Sequence, residues 1–148
     1  MGLTLDGDWN FFDRTKNIGS SIQETMGNAL EVSAENIRAA VIKGIRDQKY
    51  SYAPLAQRTK EYKQKKGLSP LILIAEGDYL SSFATKKINW DEVHIGSNHP
   101  QSRALEFGYE PRGLPARPHF APAMLDSVDE VITTLQEALA HLFDGLKP

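Results

Sequence analysis

"NIGSSIQETMGNALEVSAENIRAAVIKGIRDQ", Asn17 to Gln48, is the longest stretch with a single rhythm, and the rest of the chain has to be arranged around it. Its apolar residues fall at Ile18, Ile22, Met26, Ala29 and Leu30, then at Ile37, Val41 and Ile45, with polar residues between. That three-to-four spacing predicts an amphipathic helix. One helix, or two with a break near Ser33, would reach up to roughly 45 Å at about 1.5 Å per residue. Gly19, Gly27 and Gly44 each weaken it by about 1 kcal/mol relative to alanine, so packing has to hold it. Such a rod is longer than one small domain needs, which points to a surface shared with partners.

Working outward, Pro54 suits the first position of a second helix, "PLAQRTKEYKQKKG", because its missing N–H would find no intrahelical partner there. A basic last turn (Lys63, Lys65, Lys66) and Gly67 mark its end. Leu71 to Ala75, between Pro70 and Gly77, reads as a short buried strand or the lead into a turn. "YLSSFATKKINW" alternates in part, and "DEVHIG" sets Val93 and Ile95 on one face, so the two predict a hairpin turning near Asn89 to Asp91. A short helix fits Pro100 to Phe107. From Met124 to Phe143, apolar residues recur at helical spacing, with Pro122 or a Ser127–Glu130 capping box as alternative starts and Gly145 as the stop. Helices, a small antiparallel sheet and a final helix make an α+β domain. In it the long N-terminal and C-terminal helices pack on the sheet and a hairpin or loop protrudes. The domain is expected over residues 17–148, preceded by an arm, residues 1–16, whose Trp9, Phe11 and Phe12 cover the chain's own core or a neighbouring subunit.

A chain of 148 residues with 41% hydrophobic content suits one domain. Seventeen basic and nineteen acidic residues leave a net charge of −2, so no global field draws nucleic acid. No cysteine is present, which excludes disulfide, thiol and metal-thiolate chemistry and fits a reducing compartment. The N-terminus lacks the pattern of a secretory signal, Asp6 stands where a myristoylation start needs Ser or Thr, and no apolar run could cross a bilayer. A soluble, cytoplasmic protein is expected.

Few residues are arranged for reaction chemistry. His94 and His99 flank a Gly-Ser turn with Asp91 and Glu92 near, but the short helical spacing of a zinc hydrolase is absent. No nucleophile elbow surrounds Ser81 and Ser82, and no glycine loop is built for phosphate. Glu76 and Asp78 read as solvated acids at a turn, and His141 as a cation at a helix end. Neither an enzyme nor a cofactor or metal site is expected. What stands out is "ALEFGYEPRGLPARPHFAPAM", Ala104 to Met124, which holds Pro111, Pro115, Pro118 and Pro122. Pro115 and Pro118 fix their own φ and push Leu114 and Arg117 toward extended backbone. Arg117 would then be offered from a stiff segment to a carboxylate across an interface, or would pair with Glu106 or Glu110 of its own chain. Phe120 is expected to fill the core beside Leu105 and Phe107. On the second helix, Arg58, Lys60, Lys63 and Tyr62 offer an alternative role in contacting a phosphate backbone.

Four blocks, "YAPLAQRTKEYKQKKG", "PLILIAEGDYLSSF", "VHIGSNHPQSRALEFG" and "LPARPHFAPAM", stand in the order found in the phage Mu G-like virion morphogenesis, or tail completion, proteins and the related neck proteins of lambdoid phages. The resemblance covers about residues 50–142. Gly77, Leu80 and Ser82 match the turn and strand of the second block. Ala104, Glu106 and Gly108 match the segment before the loop, and Pro115, Arg117, Pro118 and Phe120 match the loop. His119, between proline and aromatic, and Asn98-His99-Pro100 depart from the pattern. The resemblance implies a non-enzymatic virion protein of a tailed phage or phage-derived particle, assembled in the host cytoplasm. It would be a tail terminator or completion factor at the head-tail junction, or else a stopper or adaptor. Expected partners are copies of itself in a ring, six by expectation, the tail tube protein, the head-tail connector, and DNA passing through the lumen without sequence-specific binding. Pro115, Arg117, Pro118, Glu106, Trp9 and Phe11 are the expected contact residues.

Overall fold

The computed structural model describes residues 17–145. Asn17–Gln48 forms one unbroken helix, α1 (Ile18–Arg46), with no break at Ser33. The reason is local. Ser33 is buried and its hydroxyl donates to the Ala29 carbonyl one turn back, so it adds no competing donor to the surroundings. The inward face of α1 carries Ile37, Val41 and Ile45, and these meet Tyr79, Phe83 and Ala123 to form the core. Val41 and Ile45 are completely buried.

The second helix, α2 (Gln57–Lys66), begins three residues later than Pro54 would allow and ends at Gly67, whose left-handed backbone (φ 64°) closes the last turn. Leu71–Ala75 is neither strand nor helix but an irregular loop with Leu73 at φ 64°. Its backbone groups are satisfied from outside. The Gln48 side chain accepts from Ile72 N–H and donates to Ile72 C=O, both at 3.0 Å, so one amide stands in for a missing strand partner.

Tyr79 belongs to a single helical turn, α3 (Asp78–Ser81), so the hairpin starts at Phe83. β1 (Phe83–Asn89) pairs antiparallel with β2 (Glu92–Ser97), from Phe83 opposite Ser97 to Asn89 opposite Glu92, and turns through Trp90 and Asp91. This two-stranded sheet lies on α1. Thr85 Oγ1 donates to Glu35, and Lys87 bonds Glu31 at 2.9 Å, so the hairpin runs back along α1 toward its N-terminus. Gly27 lets it approach: a Cβ there would stand 3.3 Å from the Trp90 carbonyl oxygen.

After β2 come α4 (Ser102–Phe107), a short 3-10 turn at Glu110–Arg112, and two further helices, α5 (Phe120–Asp126) and α6 (Val128–Asp144). The capping box predicted at Ser127 does not form. The Ser127 hydroxyl donates backward to Ala123 C=O, and Glu130 accepts from Asn36 of α1 instead. Asn36 to Glu130, with Lys49 and Tyr50 to Asp126, lay α6 back along α1. The architecture is α+β: a long helix between a small antiparallel sheet and a C-terminal helix.

Candidate interaction surface

The proline-rich segment is built inward from α4. Gly108 (φ 80°) turns the chain where a Cβ would stand 2.9 Å from the Ala116 nitrogen, so only glycine fits. Tyr109 and Leu114 then exchange two backbone bonds, and Arg117 N–H donates to Leu105 C=O at 2.8 Å. That pins the returning chain against α4. Its last residues meet Glu106, whose carboxylate accepts from His119 N–H (3.0 Å), Phe120 N–H (3.1 Å) and Ala121 N–H (3.1 Å). These are the first free donors of α5. The next residue, Pro122, has none to offer, so the whole N-terminus of the helix is accounted for by one side chain and one proline. A carboxylate at that end also meets the positive pole of the helix.

His119 completes the clamp. Its Nδ1 lies 2.7 Å from Arg117 C=O and 3.0 Å from Glu106 Oε2, and since neither can donate, Nδ1 carries the proton. Nε2 meets Tyr79 Oη at 2.6 Å, and Tyr79 in turn touches Ser102 Oγ. Burial holds the Tyr79 hydroxyl above its usual pKa. Sequence reading took His119 as an intrusion in the loop and Tyr79 as a strand residue. The available signal was the Pro-His-Phe-Ala-Pro run, which starts a helix and leaves three donors for some acceptor to cover.

The expected contact set divides. Pro115 and Pro118 are exposed, but Glu106 and Arg117 are buried, so neither is presented to a partner from the surface. Arg117 pairs with neither Glu106 nor Glu110. Its Nε donates to Ala53 C=O at 2.9 Å and Nη2 to Pro54 C=O at 3.1 Å. The cause lies in the 51–56 segment, which is irregular and leaves these carbonyls without backbone donors among the described residues, while the Leu105 bond fixes the arginine backbone beside α4. Trp9 and Phe11 lie outside the described residues. Phe120 packs on the core as expected, whereas Phe107 is 75% exposed.

Lys63 is likewise drawn in. Its ammonium donates to the carbonyls of Ser69 (2.9 Å), Leu71 (2.6 Å) and Ile74 (2.5 Å), which uses all three protons to shape the 68–75 loop. It is therefore lost to any phosphate-binding face on α2, where Arg58, Lys60, Lys65 and Lys66 remain exposed. His94 bonds Glu92 at 2.7 Å and His99 packs edge-on against Tyr79, so the two histidines serve different neighbours. No group of three or more His, Asp or Glu residues converges on one point among the described residues. No helix among them is long and apolar enough to cross a membrane.

An unfinished apolar surface belongs to α5 and α6. Val131, Leu135, Ala138 and Leu142 are partly covered, yet no residue of α6 is fully buried. Beside them Leu125 (74% exposed), Val128, Ile132 and Phe143 face outward. Within α6 the covered and uncovered apolar residues form adjoining arcs of one wide stripe, of which the fold covers only part. Compared with known protein families, curated proteins and solved structures, the chain matches none.

Proposed function

We propose that this protein is a structural subunit of a tailed-phage or phage-derived particle, acting at the head-tail junction as a tail terminator or tail-completion factor. Copies join into a ring that seats on the tail tube and docks to the connector. Support comes from the four ordered sequence blocks that resemble the tail-completion proteins. The observation that carries the reading is the uncovered apolar face of α5 and α6. An isolated subunit has no use for Leu125, Val128, Ile132 and Phe143 in water, whereas closed rings use heterologous contacts, in which one patch fits a different patch on the neighbour. Among the described residues the hairpin pairs with no third strand, and Ile88 and Trp90 are exposed near its turn.

Electron microscopy of tails mixed with gold-labelled protein tests the placement. Label is expected at one tail end, with mass measurement showing a defined multiple of the subunit there. Label along the whole tube, or on heads alone, would rule out a terminator and favour the stopper or adaptor in the second case. Binding of duplex DNA that weakens with salt would instead favour the exposed basic residues of α2 as a DNA-contacting face.

A further inference from the structure

The second helix, α2, lacks a supporting floor. Of Gln57–Lys66 only Lys63 is buried, and among the described residues the helix makes no extensive contact with another helix or strand. Ten residues are too few for a helix to hold itself in water. Its anchor is the Lys63 ammonium in the 68–75 loop. The outward surface carries Arg58, Lys60, Lys65 and Lys66 against one acid, Glu61. Beside it opens a hollow of about 730 Å³, rimmed by Lys60 and Gln64 and walled by Leu55, Leu68, Pro70 and Ile72. Basic helix and apolar hollow together ask for an apolar side chain with acids next to it. A phosphate backbone would answer the charge and leave the hollow open.

The C-terminal helices carry the complementary pattern. Between Arg117 and Lys147 the sequence has no lysine or arginine, while Asp126, Asp129, Glu130, Glu137 and Asp144 are acidic. Asp126 and Glu130 are engaged by Lys49 and Asn36 of the same chain. At about 100° per residue, Asp129 and Glu137 fall on one flank of the exposed arc formed by Val128, Ile132 and Phe143. The partly covered Leu135, Ala138 and Leu142 fall on the other flank. Ile132 and Phe143 lie three turns apart, about 16 Å, and α2 is about 15 Å long.

From this complementarity we infer that the exposed arc of α6 on one copy seats on α2 of the next copy. An apolar side chain of the arc enters the hollow, and Asp129 and Glu137 meet the basic residues of α2. The two surfaces are separate patches of the subunit, because α6 packs on α1 and α5 and makes no extensive contact with α2 among the described residues. A contact between unlike patches is heterologous and continues from copy to copy, as a ring needs. The inference rests on the self-association proposed above and names what covers its open face, whatever place the ring takes in a particle.

Charge reversal tests the pairing in the full chain. Asp129→Lys/Glu137→Lys and, separately, Lys60→Glu/Lys65→Glu should each weaken self-association by about tenfold or more in sedimentation, with thermal melts like the parent's. An equimolar mixture of the two variants should associate again, since each then meets an opposite charge on the other. As a second measurement, the cysteine-free chain permits a cross-link: full-length Gln136→Cys and a differently tagged full-length Gln64→Cys, mixed under mild oxidation, should form a disulfide-linked pair. Asp91→Cys at the hairpin turn should yield several-fold less with Gln64→Cys. An equal or greater yield from Asp91 would overturn the inference, as would variants that associate like the parent or fail to complement each other. Duplex DNA binding lost in Lys60→Glu/Lys65→Glu with association unchanged would give the basic face to nucleic acid and overturn it too. A multimer broken by Leu125→Ser and Ile132→Ser but untouched by both charge reversals would reject this pairing and leave the ring reading standing. A parent that stays monomeric at every concentration and on tails would remove both.

Discussion

The Glu106 clamp and the C-terminal helix lie close together in sequence, yet they treat surface in opposite ways. At the clamp, one carboxylate satisfies three backbone donors, a proline removes the fourth, and His119 and Tyr79 pair with each other and with further neighbours. In α6 no residue is fully buried and the apolar stripe is left partly open. The clamp is complete within one chain and so serves stability. The helix leaves apolar surface open among the described residues, and under the proposed function that is where a neighbouring copy would sit. The same contrast divides the proline segment itself, where Pro111, Pro115 and Pro118 are exposed while Glu106 and Arg117 are buried.

The largest effect that separates the two regions should come from Glu106→Ala. Three N–H groups would lose their acceptor at about 1–3 kcal/mol each, with some recovery through water, for a total of about 4 kcal/mol. That corresponds to a fall in Tm of about 10 °C, read by calorimetry. Glu106→Gln keeps one acceptor oxygen and should recover part of it. A melt unchanged by Glu106→Ala would show that the α5 donors are served by water and that the clamp is ornamental. Gly108→Ala comes next. It forces a left-handed residue against the Ala116 nitrogen, for a loss of about 2 kcal/mol in denaturant titration, with the effect confined to the loop if α1 exchange protection is unchanged.

On the other side of the comparison, Leu125→Ser and Ile132→Ser should change monomer stability by no more than about 0.5 kcal/mol, as surface substitutions do. Their effect should appear in self-association, measured by sedimentation or mass photometry across concentration. If either variant unfolds the monomer, the stripe is part of the chain's own core and the contrast collapses. If association is untouched by both, some other surface joins the subunits.

How much of this was legible in the sequence follows the same division. Periodicity located α1, the hairpin and the C-terminal helix because each repeats one spacing over many residues. It missed α3, a single turn too short to repeat any spacing, and it left Leu71–Ala75 open between a strand and the lead into a turn, because that loop is held by distant side chains, Gln48 and Lys63, that leave no pattern in its own segment. Prolines mark the 111–122 run as backbone of fixed φ. They could not announce its direction, since Arg117 turns inward on account of the unpaired carbonyls of Ala53 and Pro54, more than sixty positions away. Basic residues in α2 read as a last-turn cluster, and nothing in the local sequence distinguishes Lys63, which is swallowed, from Lys65 and Lys66, which are not.

Asp126 sits at the joint between the two regions, at the end of α5, and offers the finest of these tests. Its carboxylate accepts from Lys49 Nζ at 2.7 Å and from Tyr50 Oη at 3.2 Å. The Lys49 hydrogen bond, aided by its charge and by the Tyr50 hydrogen bond, holds the Asp126 carboxyl below its usual range. A carboxyl with a lowered folded pKa adds stability that is fully present above its unfolded value, about 3.9, and that fades as pH falls through the lower folded value. The contribution is small because the pair is exposed and screened by salt. Thermal melts of the parent should therefore decline more steeply below about pH 4 than those of Asp126→Asn, and the two curves should converge in acid. The difference should shrink at high salt. Parallel curves from pH 6 to pH 2.5 would mean that the joint is held by packing of Ala123 and Val131 on the core alone, and that the ion pair merely decorates it.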